Sequence, residues 1–391
     1  MTIVNRVVKY TMRFHVLGLP HTQTTRVHSA CAYTQKIRVF CQMMMSRGHE
    51  VYHYGAEGSN PICTEHIDVI SAKDQNKYFG KKDWSKQMYD ISYNAKEPYW
   101  RLMNKNIIKE LAPRIKHKDF ICVIAGECQK EVADAFPNNM SVEYGVGYKG
   151  GFSNYKVYES YAWMHYIYGQ NRLFGGKHYD GVVPNYYDPA DFPLGNGKGD
   201  YLMFIGRMIP AKMPNIAADI AREKGLKLVM AGQGIKNTSN KNGEKVYHGE
   251  GVTIIGNHID FKGCIGIEER AQLMGNAKAV IVYTEYVGPF EGVHAEAMMC
   301  GTPVITPDYG CFTETVVDGF NGYRCRTFGE CLWAVDQVDK LNRYDIKQFA
   351  ESRYSTNVVA IKFENYFKQL LGLYDGGWYN KNYDPKDRNR S

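Results

Sequence analysis

Residues 288–326 read GPFEGVHAEAMMCGTPVITPDYGCFTETVVDGFNGYRCR, and the order of residue types in this stretch decides the fold. A Pro/Gly-rich loop enters a short helix built on Ala295, Ala297, Met298 and Met299. Gly301 stops that helix, and Pro303 opens the apolar run Val304-Ile305, which reads as a strand. Just upstream, the unbroken apolar run 279–283 reads as a buried parallel strand. The unit is therefore strand, loop, helix, strand. Amides of the loop and helix start point beyond the strand's carboxyl end, and the helix dipole favours negative charge there. In a doubly wound sheet a nucleotide's phosphates lie at that place.

The stretch resembles the donor-binding signature of GT-B glycosyltransferases, specifically the retaining glycosyltransferase family 4 group (glycosyl transferases group 1). The match is carried by Glu296-Ala297-Met298, by Gly301-Thr302-Pro303-Val304, and by the tail from Phe312-Thr313-Glu314 through Asp318-Gly319 to Gly322-Tyr323. The resemblance implies an α/β, GT-B fold: two Rossmann-like domains facing across a cleft. It implies transfer of a sugar from a UDP- or GDP-sugar donor to an acceptor hydroxyl with retention, with no permanently bound cofactor and no metal. The match is close in the C-terminal half and loose in the N-terminal half.

A leaving diphosphate is best stabilised by fixed cations and main-chain amides. Arg207 and Lys212, which follow a strand and Gly206, match the family's diphosphate-binding pair. Glu296 matches the Glu that typically accepts from the ribose hydroxyls, a task suited to a carboxylate. Gly232 ends the next strand, and Thr302 with the loop Phe290, Glu291, Gly292 and Val293 would complete the phosphate cradle. One departure stands out. Eight positions before Glu296, where the family carries a sugar-binding Glu, this chain has Gly288, and Glu291 stands where Gly is usual. Three outcomes are open: Glu291 takes over the sugar contact, the sugar is held differently, or catalysis is lost.

Read in order, 14–18 is the first strand, with Gly18 and His21 in its exit loop toward the cleft. His21 is a candidate catalytic side chain. Helical spacing follows over 30–47, a second strand over 51–54, a helix over 100–115 and a strand over 120–125. Residues 145–151 read as a flexible Gly-rich loop and 155–165 as a helix. Gly195, Gly197 and Gly199 read as a linker, and the Lys/Asn-rich stretch 235–250 as a solvated loop. The expected division is an acceptor-binding domain over 1–190, a nucleotide-sugar domain over 191–355, and over 356–391 a helix crossing back to the first domain plus a polar tail.

Charge is uneven along the chain. Residues 1–185 hold 24 Lys and Arg against 16 Asp and Glu, while the whole chain is at +7. The excess concentrates in 73–118, where 12 basic residues face 5 acidic ones among interleaved aromatics. Cations neutralise phosphates and rings stack bases, so the expected acceptor is a glycan, a lipid-linked sugar or a hydroxylated base in nucleic acid, with peripheral membrane contact as a further expectation. The absence of an apolar run of about 18 residues or of a secretory signal, together with ten scattered cysteines, leads to the expectation of a cytoplasmic chain with reduced thiols. Two rivals to the transferase remain: a nucleotide-sugar-binding protein without turnover, and a GT-B-fold sugar-nucleotide epimerase.

Overall fold

A computed structural model describes residues 11–81, 91–376 and 379. Two parallel sheets organise the chain. The first runs Glu65–Ile70, Glu50–Ala56, Arg13–Leu17, Phe120–Val123, Met140–Val146, Tyr155–Tyr158, Gly181–Val182 in spatial order. The second runs Ile259–Gly263, Lys227–Ala231, Tyr201–Ile205, Ala279–Ile281, Val304–Pro307, Gly322–Cys325. Short continuous apolar runs such as Phe120–Val123 are buried throughout, as expected of strands covered by helices on both faces.

Both sheets have a switch point, where successive strands depart in opposite directions and leave a crevice at their carboxyl ends. In the first it lies between Arg13–Leu17 and Phe120–Val123, and in the second between Tyr201–Ile205 and Ala279–Ile281.

The helix Ala32–Ser46 buries Ile37, Phe40, Cys41 and Met44 against the first sheet. The helix Thr356–Leu371 returns from the second lobe and covers the same core. Its Phe363 meets Phe40 and its Phe367 meets Phe14 and Phe120, with ring centroids 5.3, 4.7 and 4.8 Å apart. Where the chain crosses between lobes, Tyr187 N donates to Tyr354 O at 2.9 Å and Thr356 N to Tyr187 O at 3.0 Å, so the two crossings are stitched together.

Four sequence expectations change. Residues 235–250 are not a loop: Asn237–Lys241 and Glu244–His248 form an antiparallel hairpin joined by Thr253–Ile255, held down by the buried Tyr247. The helix expected over 155–165 divides into the strand Tyr155–Tyr158 and the helix Tyr161–Gln170, because the Ser160 side chain caps a helix that begins after it. Residues 145–146 continue the strand Met140–Val146. The three linker glycines are tightly packed: amides of Gly195, Gly197 and Gly199 donate to Cys300, Gly275 and Asn276 carbonyls at 2.9, 3.0 and 2.8 Å. The positions Lys82, Trp84, Lys86 and Tyr89 of the basic segment, and most of the polar tail, lie outside the described residues.

Candidate functional site

The second lobe's switch point is built from the loop ends of three neighbouring strands. After Lys227–Ala231 comes Gly232, with φ +134° and an amide donating to Gly263 O at 2.8 Å. A Cβ there would stand 1.8 Å from Gly206 O, so only glycine lets the two strand ends touch. After Tyr201–Ile205, Gly206 and Arg207 lead into the turn Pro210–Lys212, which precedes the helix Pro214–Glu223. After Ala279–Ile281 the chain runs to the loop 284–292. Glu285 N donates to Ala211 O at 3.0 Å, which fixes this loop against the Lys212 turn.

A charged cluster forms where the loops meet. The Lys212 ammonium pairs with Glu291 Oε2, and the Tyr286 hydroxyl donates to Glu291 Oε1. Lys212 Nζ also lies 5.1 Å from the centre of the Tyr286 ring, within cation–π range. Burial, reinforced by the Glu291 carboxylate, pushes the Tyr286 phenol well up, so it stays a donor. Arg207 is exposed and close enough to Tyr286 to oppose that shift. The structure thus brings Lys212 and Glu291 together around Tyr286.

Gly288 explains the departure in the motif. A Cβ on it would meet Glu291 Oε1 at 2.2 Å and Cδ at 2.8 Å. The Glu291 carboxylate therefore occupies the space a side chain at 288 would enter. Glu291 itself sits in the left-handed region, φ +57°, where a non-glycine residue is strained. Its carbonyl accepts from His294 Nδ1 at 2.7 Å and from His294 N at 3.1 Å, which holds the turn. Burial lowers the His294 pKa to about 4, so the ring is neutral at neutral pH.

Other predicted residues separate. Glu296 is largely buried and faces Arg270 Nε at 3.2 Å; burial raises its pKa and Arg270 opposes the shift. Phe290 packs inward on His294 and Tyr354, with centroids 5.1 and 5.5 Å away. Gly292 O accepts from the Tyr187 hydroxyl at 3.2 Å, and Val293 begins the helix Val293–Met299. Thr302 corrects the sequence reading. It is fully buried, its hydroxyl donates to Met274 O at 2.7 Å and accepts from Arg343 Nη2 at 2.5 Å, so it has no part in a phosphate cradle.

At the first lobe's switch point Gly18 is structural. Its amide donates to Tyr54 O at 2.7 Å and its carbonyl accepts from Gln129 Nε2 at 2.8 Å. His21 is 1% exposed, lies edge-on to Phe79, and burial lowers its pKa to about 3. A neutral imidazole so enclosed is a poor candidate for the catalytic role expected of it. Sequence reading missed the polar groups that face the loop 284–292 from the first lobe. Glu159 follows the strand Tyr155–Tyr158, pairs with Lys36, and accepts from Asn185 Nδ2 at 3.1 Å. A Cβ on Gly147 would meet Glu159 Oε1 at 2.3 Å and Pro289 Cβ at 3.3 Å, so this group abuts the loop 284–292. Reading 155–165 as one helix hid Glu159 from view. Beside it, Tyr33 packs against Tyr148 and Tyr93 at 6.0 and 6.4 Å, making an aromatic wall. Among the described residues no group of three or more His, Cys, Asp or Glu is arranged to hold a metal ion, and no helix is long and apolar enough to cross a membrane.

Residues 190–340 match the family model described as Glycosyl transferases group 1. A curated relative from Methanocaldococcus jannaschii, an uncharacterized glycosyltransferase, is 28% identical over 130 residues, covering 32% of this chain and 34% of its own length. The chain therefore matches about a third of that relative. A sucrose-phosphate synthase structure from Thermosynechococcus elongatus superposes with TM-score 0.66 at 13% identity, covering 93% of this chain and all of the other. A glycosyltransferase of avilamycin A biosynthesis gives 0.62 at 18% identity over 92% and 98% of the two chains. The Anabaena protein HepE, solved with UDP and glucose, gives 0.60 at 12% identity over 91% and 99%. These likenesses establish the fold: an α/β chain with the GT-B arrangement of two parallel-sheet lobes.

Proposed function

We propose that the chain transfers a sugar from a nucleoside diphosphate sugar, UDP- or GDP-linked, to an acceptor hydroxyl with retention, in the manner of retaining glycosyltransferase family 4. The observation that carries the reading is the Lys212–Glu291–Tyr286 cluster beside Arg207 at the second switch point. In this reading Lys212 and Arg207 meet the diphosphate and stabilise the charge it gains on leaving. Glu291 accepts from the donor sugar's hydroxyls, its carboxylate standing in the space left by Gly288. Glu296, steadied by Arg270, accepts from the ribose hydroxyls. The acceptor oxygen bonds to the anomeric carbon on the face from which the diphosphate departs, and its proton passes to the departing phosphate oxygen.

The acceptor binds against the first lobe, near Tyr33, Tyr148 and the Lys36–Glu159 pair. A glycan, a lipid-linked sugar and a hydroxylated DNA base all fit the basic segment 73–118, and the reading includes a cytoplasmic site of action with peripheral membrane contact. Filter binding of duplex DNA at two salt concentrations separates the nucleic acid, for which a steep salt slope is expected. Donor hydrolysis and transfer should collapse in Arg207→Ala and Lys212→Ala, and wild-type rates in both would sink the reading. One observation favours a rival, a nucleotide-binding protein without turnover: Glu291 already neutralises Lys212. Calorimetry showing UDP binding with neither hydrolysis nor transfer from any donor would favour that rival.

A further inference from the structure

The helix Tyr161–Gln170 of the first lobe begins against the second lobe, and the first two of its amides are satisfied from that other lobe. The N–H groups of a helix's first turn have no partner inside the helix. A local solution places a carboxylate at the third helical position, but that position here is Trp163, and the first turn holds no acidic residue. The carboxylate comes instead from Glu314, on the helix Phe312–Thr315 of the other lobe. Glu314 Oε2 accepts from Tyr161 N at 3.0 Å and Oε1 from Ala162 N at 2.6 Å. The third amide, Trp163 N, donates to Ser160 Oγ at 3.1 Å, and the Ser160 hydroxyl donates across the lobes to Pro289 O at 2.7 Å.

Both ends of this bridge are anchored at the candidate site. On the second lobe, Cys311 Sγ donates to Phe290 O at 3.2 Å, tying the Glu314 helix to the donor loop that carries Glu291. On the first lobe, Ser160 follows Glu159, whose carboxylate is held by Lys36 and Asn185. Glu314 is exposed, so its bonds are exchangeable with water and separable from the core.

We infer that Glu314 and Ser160 form a lobe-closing bridge and that Glu314 is a positioning residue: it sets how often the Glu159 side of the cleft stands against the donor loop. The inference rests on the transferase reading for its consequence, but the bridge itself does not. A carboxylate at a helix N-terminus gains from the dipole, so closing is favoured by charge as well as by hydrogen bonds. When the lobes part, the Tyr161 and Ala162 amides return to water while Trp163 N keeps its bond to Ser160 Oγ, which keeps the opening cost small enough for a working cycle.

Hydrogen exchange of the full chain, resolved at the amides of Tyr161 and Ala162, tests the bridge without any substrate. Glu314→Ala should speed exchange at both by about tenfold or more, as expected for loss of a charge-assisted bond, and raise the radius of gyration in solution. Glu314→Gln keeps an acceptor oxygen without the charge and should fall between. Ser160→Ala should speed exchange at Trp163. UDP affinity should stay within about twofold of wild type in Glu314→Ala while the rate of transfer at saturating donor falls about tenfold, a split that general loss of folding would not produce. Unchanged exchange at Tyr161 and Ala162, or loss of UDP affinity in step with transfer, would overturn the inference. A wild-type chain that binds no sugar nucleotide yet shows the exchange difference would remove the transferase reading and leave the bridge.

Discussion

Where the first sheet changes direction, its loop ends are tied to each other. Gln129 accepts from Ile124 N and Ala125 N at 3.0 and 3.1 Å and donates to Gly18 O, closing the crevice with one buried amide. Where the second sheet changes direction, the loop ends carry Lys212 and Glu291 instead, a charged pair that a diphosphate or a sugar can engage. The same topology therefore yields a sealed crevice in one lobe and a charged one in the other. In the first lobe the polar groups facing the cleft lie farther along the sheet, at Glu159 and Lys36.

The sharpest way to break this contrast is to remove the cation. Lys212→Ala should lower kcat/KM by about 10²- to 10³-fold, the range for losing one preorganised charge-stabilising group. His21→Asn, in the sealed crevice, should cost activity only as far as it costs stability, which steady-state kinetics alongside urea titration separates. Next in size is the backbone contact between the second lobe's strand ends. Gly232→Ala would put a Cβ 1.8 Å from Gly206 O at φ +134°, and should lower stability by about 3 kcal/mol in urea unfolding.

The Gly288/Glu291 exchange offers a finer cut. Gly288→Glu alone should destabilise by about 1–3 kcal/mol through overlap with the Glu291 side chain. Adding Glu291→Gly should restore stability, since it removes both the overlap and the strained φ +57°, and should restore donor turnover if one carboxylate is needed at that point. A double variant as unstable as the single would separate the two positions.

Acid should stress the lobes unequally. Burial holds His21 and His53 near pKa about 3, both in the first lobe, and His294 near about 4 in the second. The unfolded chain takes up these protons below about pH 6.5, before the folded one does, so the stability is present above that pH and lost as it falls toward 4. The loss is at most about 1.4 kcal/mol per pH unit per histidine, and urea titrations at pH 7 and 5 should show it reduced in His294→Gln. The smallest effect is expected at the lobe edge. Arg26 pairs with Asp191 at 2.6 Å and with Glu268, and because Arg26 is about half exposed and Glu268 more so, Glu268→Ala should leave the urea unfolding midpoint nearly unchanged.

The second lobe was legible because its loop chemistry is local. Gly206-Arg207, Lys212 and the 288–326 stretch each announce a strand end followed by a turn or helix, and the structure pairs two of the named side chains, Lys212 and Glu291. Thr302 was misread because its helix-to-strand turn fits either a ligand or a buried hydroxyl; the deciding partner, Arg343, lies 41 residues away. In the first lobe the signals were the wrong kind. Tyr155-Lys156-Val157-Tyr158 has aromatic spacing that suits a helix as well as a strand, and only pairing with Met140–Val146 selects the strand. With that strand unseen, Glu159 at its end had no address. The hairpin at 237–248 escaped for a similar reason, since its outer strand is exposed along its whole length and carries no apolar alternation.

Calorimetric titration of UDP and of GDP into the wild-type chain and into Lys212→Ala tests the central claim most directly. The account predicts that one of the two nucleotides binds the wild type and loses at least about tenfold in affinity when Lys212 is removed. Equal affinity in the two proteins, or no binding of either nucleotide to the wild type, would contradict it.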